Sequence, residues 1–336
     1  MKRKVGRGFT LVEALTVVGV VGLLAGLTLP AVQRAREAAA RVACSNNLRQ
    51  IGLALNAYTA ALDRMPLGVG LPNRKQVGPD RIVLFKQYSV FAQLLPHLER
   101  RALFDATNFD VGLNDFLMHP GRGATAGIEA NRTVAASTVA TFLCPSDAHL
   151  QPLDFGGCSY RANLGASGSA FPSDGPFMDG LRSTGPAAIT DGLSATLAFS
   201  EKLRGSGGSR PHPRRDMYYM DAGWSHVPER SYETCSRSLN TDSRSFTKGG
   251  ATWLIGTLSQ SCYNHVMAPN DPVPDCVQSR MVPVGGLVGA RSDHSGGVQG
   301  AFCDGSVRFI LNGVTREVWK ALGTRAGGEL IEASSF

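Results

Sequence analysis

Residues 8–13 of the chain read Gly-Phe-Thr-Leu-Val-Glu. This segment joins a short basic leader, residues 1–7, to an apolar run that continues to Leu29. The run begins at Phe9, has 21 residues, and contains Glu13 as its only charged side chain. About 20 apolar residues are enough to cross a bilayer, and an ionisable residue within such a span is costly and therefore indicates a function. The segment predicts a membrane-spanning helix with one functional carboxylate.

The charges around the span predict its orientation. Lysines and arginines precede the apolar run, so the positive-inside rule places the leader in the cytoplasm and the rest of the chain outside it. A secretory signal has a shorter apolar core of about 7–15 residues, and Glu13 does not suit one. A lipoprotein anchor needs a cysteine directly after the apolar core, whereas the first cysteine is Cys44. We therefore expect a single-pass protein of the inner (cytoplasmic) membrane, with its head in the periplasm or on the cell surface.

The helical pattern continues beyond the apolar run. Pro30 ends the purely apolar part, and apolar residues then recur at steps of 3, 4, 3 and 4, which is the period of a helix. These residues are Leu48, Ile51, Leu55, Tyr58 and Leu62. The pattern predicts a nearly continuous helix from Phe9 to about Ala61, whose amphipathic second part, residues 31–62, lies against a globular head.

Composition limits the class of protein. The chain has 336 residues, and its apolar content of 43% allows a sizeable core. Its 39 glycines and 18 prolines indicate many turns, as in β-rich folds. The net charge is +7, but four of these charges lie in the leader, which leaves 7 − 4 = +3. Because nucleic-acid binding needs a clustered basic face, we expect no nucleic-acid partner.

Seven cysteines are many for a protein of a reducing compartment. They stand at positions 44, 144, 158, 235, 262, 276 and 303. The sequence has no Cys-x-x-Cys pair and no Cys/His spacing typical of zinc. We expect some of the cysteines to form disulfides in an oxidising space. The connectivity stays open, and the odd count leaves at least one thiol free or paired between chains.

The end of the chain has the strongest local signal, which is that of a β-hairpin. Residues 298–303 and 306–311 alternate in polarity on either side of Asp304-Gly305, and an Asp-Gly pair there favours a two-residue type I′ turn. Such a turn fixes the register of the two strands. The expected pairs are Phe302–Val307, Gly300–Phe309 and Val298–Leu311. The side chains of these six residues share one face of the hairpin, which is apolar apart from the glycine. We expect this face to be buried and the hairpin to pack on the N-terminal helix.

Two other segments give local predictions. Residues 89–106 have a helical periodicity that Pro96 interrupts, and residues 202–216 are typical of an exposed flexible loop. Together with the hairpin, these patterns predict an α+β fold. In it, one long N-terminal helix packs on an antiparallel sheet, and the head is large, β-rich and loop-rich.

The N-terminal segment resembles the class III signal of type IV pilins and pseudopilins. The resemblance implies that a prepilin peptidase cuts after Gly8 and that Phe9 becomes the N-methylated mature terminus. It also implies that Glu13, the fifth residue of the mature chain, pairs with the terminal amine of a neighbouring subunit during assembly. The expected partners are prepilin peptidase, other pilin-like subunits in a homo- or hetero-oligomer, and membrane lipid.

A second resemblance covers almost the whole chain. His294, nine intervening residues and Asp304-Gly305 resemble the H-X9-DG signature of the DUF1559 family of pilin-like proteins. Further similar elements follow in the family's order: Cys44 to Leu55, Phe142 to Asp147, Ser159 to Asn163, Ile189 to Ser194, and Asn264-His265. The function of that family is not established. The resemblance therefore implies a location and a processing route rather than an activity.

Few residues suggest chemistry. His294 and Asp304 have two interpretations: they are metal ligands or an acid–base pair, or, as we prefer, Asp304 makes the turn and His294 hydrogen-bonds the strand entry. Asp271 and Asp275 with Asn270 suggest calcium, but calcium takes six to eight oxygens and too few are local. The chain also lacks a G-x-S-x-G, H-E-x-x-H or P-loop pattern. We therefore expect no catalytic residue, no metal and no cofactor, and we expect that the protein is not an enzyme.

These observations lead to a division of the chain and to three hypotheses for its function, the weakest of which is a surface hydrolase. The predicted segments are a leader (1–8), a transmembrane or assembly helix (9–30), its amphipathic continuation (31–62) and a β-rich head (63–336) that includes the hairpin region 294–311. The preferred hypothesis is a pilin-like or pseudopilin-like structural subunit, anchored in the membrane or assembled into a filament. The alternative is a membrane-tethered binding module for a glycan, peptide or small solute, with a pocket lined by Trp224, Trp253 and nearby tyrosines.

Overall fold

The computed structural model describes residues 10–72, 85–113, 126–147, 155–169, 173–177, 183–220, 227–237, 245–278 and 285–332. The predicted cleavage site, Gly8 and Phe9, lies outside these ranges, as does Trp224. The chain divides into two compact units, Met1–Val42 and Ala43–Phe336. The boundaries predicted from the sequence at residues 8, 30 and 62 stay predictions.

Helix α1 runs from Leu11 to Leu62 without a break at Pro30, which confirms the long helix predicted from the sequence. At its start, Thr10 N and Thr10 Oγ1 donate hydrogen bonds to Glu13 Oε2 over 2.9 and 2.8 Å, and Glu13 N donates to Thr10 Oγ1 over 3.2 Å. This reciprocal capping satisfies amides that the first turn of a helix leaves without partners. The helix is long and apolar enough to cross a membrane, and none of its apolar window is buried.

The C-terminal part of α1 belongs to the core of the second unit. Its buried residues are Cys44, Leu48, Ile51, Gly52, Ala54 and Leu55. Tyr58 packs against this core while partly exposed, and Leu62 is 45% exposed. The predicted apolar stripe is therefore buried for its first three positions and emerges at the end of the helix.

The other helices of the described residues are short. They are α2 (Val90–Leu94), α3 (Arg101–Asp105), α4 (Ala126–Ala130), α5 (Arg132–Ala136), α6 (Pro228–Arg237) and α7 (Arg316–Ala321). Ser89 caps α2, since its side chain accepts a hydrogen bond from Ala92 N. A 3-10 turn at Leu95–Leu98 contains Pro96 and separates α2 from α3, so the predicted interruption is confirmed.

The described strands form three sheets. The strands are β1 (Gly70–Pro72), β2 (Phe85–Tyr88), β3 (Tyr160–Asn163), β4 (Leu197–Glu201), β5 (Met217–Tyr219), β6 (Ser245–Phe246), β7 (Cys262–Tyr263), β8 (Asp275–Val277), β9 (Gly286–Leu287), β10 (Gly297–Phe302) and β11 (Val307–Leu311). Their orders are β1-β2, β11-β10-β4-β3-β7 and β6-β5-β8-β9. The pairs β3–β7 and β5–β8 are parallel. The α+β class is thus confirmed, and the two larger sheets are mixed rather than antiparallel throughout.

The C-terminal hairpin forms where the sequence predicts it, but the predicted register is wrong by one residue. The last hydrogen bond across the hairpin, from Phe302 N to Ser306 O over 2.8 Å, encloses three residues, 303–305. Within this turn, Gly305 N donates to Phe302 O over 2.9 Å. Gly305 alone of the Asp-Gly pair has a positive φ, +85°, which matches a type I turn followed by a left-handed glycine. The observed pairs are Gly297–Leu311, Val298–Ile310, Gln299–Phe309, Gly300–Arg308 and Ala301–Val307.

A shift of one residue exchanges the two faces of a strand. Ile310 is therefore fully buried, as is its partner Val298, whereas Leu311 is 59% exposed. The space at Gly300 is closed by Leu197 and Ile310, since a Cβ there would lie 2.6 Å from Leu197 Cδ2 and 3.2 Å from Ile310 Cδ1. The predicted Gly300–Phe309 pair is accordingly wrong, since Gly300 pairs with Arg308.

The tip of the hairpin contacts helix α1, as predicted. Asn56 Nδ2 donates a hydrogen bond to Asp304 O over 2.9 Å. A Cβ on Gly52 would lie 3.0 Å from Gly305 Cα, so two glycines let the backbones of helix and turn approach closely. The Asp304-Gly305 turn thus docks the hairpin on helix α1.

His265 is a second buried anchor for the end of the chain. Its ring stacks on Trp319 with 4.0 Å between centroids. Its Nδ1 lies 2.7 Å from Trp319 O and must donate to it, so Nε2 accepts from Tyr263 Oη at 2.9 Å. Burial lowers the pKa of His265 to about 3, although the contact with Trp319 O opposes this shift. The imidazole is therefore neutral in the folded protein.

We expect His265 to make folding stability fall on mild acidification. In the unfolded chain a histidine takes up a proton near pH 6.5, whereas folded His265 does so only near pH 3. The unfolded state therefore binds more protons between these values, and stability is lost as the pH falls through this window. Urea unfolding at pH 7 and pH 5 should show a smaller loss for His265→Gln than for the unmodified chain. His97→Gln, a change at a partly exposed histidine, is the control, and an equal loss in all three proteins would contradict the assignment.

Candidate functional site: a buried cysteine, glutamate and histidine cluster

Four side chains from distant parts of the chain meet inside the head. We call Cys44, Cys144, Glu201 and His294 the Cys–Glu–His cluster; all four are buried, and their ligand-type atoms lie within 4.8 Å of one another. Cys44 and Cys144 form a disulfide. The cluster lies within the second unit, where α1, the central strand β4 and the loop before β10 converge.

Local structure explains how each side chain reaches the cluster. Cys144 begins a turn in which Asp147 N donates to Cys144 O over 3.0 Å, and Pro145 suits the second position of such a turn. Glu201 is the last residue of β4, a strand that is buried along its whole length. His294 N donates to Ser292 Oγ over 3.0 Å, which bends the chain just before β10.

The distances within the cluster are those of direct contact. His294 Nε2 lies 3.3 Å from Glu201 Oε1 and 3.6 Å from Cys144 Sγ. Cys144 Sγ in turn lies 3.5 Å from Glu201 Oε1. A disulfide sulfur, a carboxylate oxygen and an imidazole nitrogen therefore face one point, next to the sulfur of Cys44.

A second layer of contacts orients the cluster. Ser146 Oγ lies 3.3 Å from His294 Nδ1, so the other ring nitrogen of His294 points at the cluster. Gln299 N donates to Glu201 Oε2 over 2.8 Å, which leaves Glu201 Oε1 facing the histidine. Such outer contacts fix the orientation of ligating side chains in metal sites.

Next to the cluster, Asp147 is the centre of an ion-pair network. Its carboxylate contacts Arg204 Nε at 3.0 Å and Arg215 Nη1 at 2.6 Å, and it accepts a hydrogen bond from Ser159 Oγ over 2.8 Å. Burial acts to raise the pKa of Asp147, but the two guanidinium groups outweigh this effect and hold the pKa below its usual value. Arg215 also contacts Asp293 at 2.6 Å, one residue before His294.

This network corrects the prediction for residues 202–216. The segment has no helix or strand, and residues 209, 210, 213 and 214 are exposed as predicted, but its ends are buried, since Lys202, Arg215 and Asp216 are at most 5% exposed. Lys202, Arg204 and Arg215 pair with carboxylates that lie far away in the sequence. A composition rich in glycine, serine and arginine gave no sign of those partners.

A second buried ion cluster includes Lys202, the residue that follows Glu201. Asp275 contacts Lys202 Nζ and Arg291 Nε, both at 2.9 Å, and all three side chains are at most 1% exposed. Burial acts to raise the pKa of Asp275, but the two cations outweigh it and lower that pKa. Burial lowers the pKa of Lys202 to about 8 despite the attraction of the Asp275 carboxylate. The Asp275 carboxylate, which the sequence suggested as a calcium ligand, thus forms ion pairs with two cations.

The other residues singled out from the sequence are not members of the cluster. Asp304 is exposed on the hairpin turn, where its Oδ1 accepts hydrogen bonds from Ser306 N and Ser306 Oγ over 2.8 and 2.7 Å. Gly305 supplies the positive φ of the same turn. Among the described residues, the acid beside His294 is Glu201. Glu13 belongs to the first unit.

The sequence missed the partners of His294. Cys44 and Cys144 lie in elements that resemble the DUF1559 family, but nothing in the spacing of Cys44, Cys144 and Glu201 connects the three residues. Cys44 and Cys144 are 100 positions apart, and Cys144 and Glu201 are 57 apart. Metal sites are recognised in a sequence by short spacings, so a set assembled by the tertiary fold leaves no such pattern.

The remaining cysteines confirm that some, but not all, form disulfides. Cys235 pairs with Cys276, while Cys158, Cys262 and Cys303 are free and buried. Burial raises the pKa of Cys158 and of Cys262 to about 12, and it also raises that of Cys303. The three thiols are therefore protonated and unreactive in the folded protein.

Comparison with known proteins identifies a family but no characterised relative. The sequence model of a family described as "Protein of unknown function (DUF1559)" matches residues 33–317. This span contains the whole Cys–Glu–His cluster and the hairpin. No curated protein and no solved structure matches the chain.

Proposed function

The chain belongs to the DUF1559 family, and we propose that it is a pilin-like or pseudopilin-like structural subunit. In this proposal, prepilin peptidase removes residues 1–8 and Phe9 becomes the methylated N-terminus. The protein is then anchored in the inner (cytoplasmic) membrane or assembled into a filament with other pilin-like subunits. Its head faces the periplasm or the cell surface.

The observation that carries the proposal is the continuity of helix α1. Its N-terminal apolar window is unburied, while residues such as Leu48 and Ile51 of the same helix are core residues of the head. An unburied apolar helix is stable in lipid or among other apolar helices. The apolar window and these core residues belong to one helix, Leu11–Leu62, which a pilin-like subunit would retain as its anchor.

Glu13 supports an assembly role rather than simple anchoring. Its carboxylate is exposed and bonds only to Thr10 among the described contacts of its side chain. A carboxylate in an apolar span is retained where a partner of opposite charge meets it. After cleavage before Phe9, the terminal amine of a neighbouring copy is a cation that would lie at a similar depth in the membrane and could pair with the Glu13 carboxylate.

The proposal predicts the mature N-terminus and the effect of Glu13→Ala. Mass mapping of the protein extracted from membranes should find N-methylated Phe9 as the first residue. Glu13→Ala should be processed normally, because cleavage occurs five peptide bonds earlier, but its incorporation into oligomers or filaments should fall roughly tenfold or more. The reason is that an unpaired charge in the membrane costs about 2.5 to 3.5 kcal/mol.

Leu15→Ala is the matched control, since Leu15 is a neighbouring exposed residue of the same helix, 70% exposed. It should assemble as the unmodified chain does. A retained leader, or cleavage near Ala31, would refute the processing route. Incorporation of Glu13→Ala at the level of Leu15→Ala would refute the role given to the carboxylate.

One observation favours the alternative of a tethered binding module. A groove of about 220 Å³ lies between the end of α1 and the hairpin turn, with Asn56, Asp63 and Leu193 in its lining. The predicted aromatic pocket has less support, because Trp253 is fully buried and its Nε1 donates to Ser137 O over 2.8 Å. A full-length protein that stays monomeric in detergent and never crosslinks to a second copy would favour this alternative.

A further inference from the structure

The Cys–Glu–His cluster has the composition and the spacing of a zinc site. A tetrahedral zinc ion binds sulfur at about 2.3 Å and nitrogen or oxygen at about 2.0–2.2 Å, so neighbouring ligand atoms are separated by roughly 3.3–3.8 Å. Glu201 Oε1 lies 3.3 Å from His294 Nε2 and 3.5 Å from Cys144 Sγ, and Cys144 Sγ lies 3.6 Å from His294 Nε2. Three edges of the required tetrahedron are therefore already present.

The fourth ligand position corresponds to Cys44, whose sulfur is bonded to Cys144 in the structure. A disulfide sulfur is not a zinc ligand, because the metal binds the thiolate. Once the bond is reduced, a separation of roughly 3.8 Å between the two sulfurs would complete the tetrahedron. We propose that the chain with a reduced Cys44–Cys144 pair binds one zinc ion through Cys44, Cys144, Glu201 and His294.

The surroundings of the cluster suit this ion. Ser146 holds His294 with Nε2 inward, and Gln299 N occupies Glu201 Oε2, so each of these two ligands presents one atom to the centre. Two thiolates, one imidazole and one carboxylate are soft and borderline ligands that select zinc over calcium or magnesium. The head therefore has two exclusive states of one site: a disulfide or a zinc complex.

The disulfide and the zinc complex interconvert by a two-electron reduction or oxidation of the two sulfurs. A tertiary phosphine reduces the disulfide, taking its oxygen from one water molecule to become the phosphine oxide, and leaves two thiols. Zinc then displaces the two thiol protons. In the reverse direction, oxidised glutathione accepts two electrons from the two thiolates, becomes two glutathione thiols by taking up two protons, and the zinc ion is released.

The test uses the full-length chain in detergent, reduced with a tertiary phosphine under anaerobic conditions and incubated with zinc chloride. After desalting, elemental analysis should find about one tightly held zinc per reduced chain and none in the oxidised chain. Cobalt(II) should give thiolate charge-transfer absorption together with the visible bands of a tetrahedral centre. Oxidised glutathione should release the metal.

Matched variants separate this site from the other cysteines. Cys44→Ala, Cys144→Ala, Glu201→Gln and His294→Gln should each weaken zinc binding by more than about tenfold, since the loss of an outer contact of a ligand alone costs roughly 10- to 100-fold. Cys235→Ala/Cys276→Ala and Cys303→Ala should bind as the unmodified chain does, and circular dichroism of every variant checks that it is folded.

Three results would overturn the proposal. One is a reduced, folded chain that holds no zinc. Another is binding that survives in a folded Cys44→Ala/Cys144→Ala chain. The third is loss of the metal in Cys235→Ala/Cys276→Ala but not in the cluster variants, which would place the zinc at the other cysteine pair.

Discussion

Asp275→Asn is expected to destabilise the folded head by about 3–5 kcal/mol, because it leaves buried charges without a partner. Lys202 and Arg291 both contact the Asp275 carboxylate at 2.9 Å, and none of the three side chains is more than 1% exposed. Arg291 keeps hydrogen bonds to two backbone carbonyl groups, those of Asp271 and Val273. Lys202 keeps only a long hydrogen bond, of 3.4 Å, to Leu203 O. We therefore expect the ammonium group of Lys202 to account for most of the lost stability.

The measurement is urea unfolding of the full-length chain in detergent at pH 7. Asp105→Asn is the matched control, since the Arg101–Asp105 pair has the same two charges with side chains that are 72% and 54% exposed, and its loss should be at most about 0.5 kcal/mol. Adding Lys202→Met to Asp275→Asn should recover part of the stability by removing one of the two unpaired cations. Equal losses for Asp275→Asn and Asp105→Asn would show that the buried network contributes little.

Helix α1 was predictable because its signal is local. A 21-residue apolar run and a stripe at helical spacing need no knowledge of the rest of the chain. The hairpin was predictable in position for the same reason, but its register depended on whether Asp304 adopts a positive φ. It does not, and Gly305 alone does. An Asp-Gly pair is compatible with a two-residue type I′ turn and with a three-residue turn that ends in a left-handed glycine. The two residue types alone therefore did not decide between these turns.

The burial of charge was not predictable from the sequence. Lys202 and Arg215 stand in a segment rich in glycine, serine and arginine that is typical of solvated loops, yet each is fixed by a carboxylate from another part of the fold. Charged residues are buried only where partners are supplied, and the partners here come from non-local contacts. The Cys–Glu–His cluster escaped prediction for the same reason, since its members are joined by tertiary structure alone.

The Cys44–Cys144 disulfide connects helix α1, which the sequence predicts, to the buried charge network, which it does not predict. It fixes the predictable element, helix α1, to the turn that carries Asp147 and its two arginines. Both sulfurs are in the core, Cys44 at 0% and Cys144 at 6% exposure. The bond closes a loop of 100 residues, within which α2 to α5 are formed. Its loss therefore affects the docking of the helix as well as the entropy of the unfolded chain.

Cys44→Ala/Cys144→Ala is expected to lower the free energy of unfolding of the oxidised protein by about 4–5 kcal/mol. The loop-entropy relation gives about 4.7 kcal/mol for a loop of this length. The same relation gives about 3.9 kcal/mol for the loop of 41 residues closed by Cys235–Cys276, so Cys235→Ala/Cys276→Ala is the matched comparison. Urea unfolding of both variants without reductant should rank them in this order.

Hydrogen exchange distinguishes the two parts of the effect. In Cys44→Ala/Cys144→Ala, protection should fall most in residues 44–55, because this part of α1 is held in the core next to the missing bond. In Cys235→Ala/Cys276→Ala, protection should fall instead in α6 and β8, which carry that pair. If residues 44–55 stay as protected as in the unmodified chain, the disulfide does not dock the helix, and the stability it provides comes from the unfolded state alone.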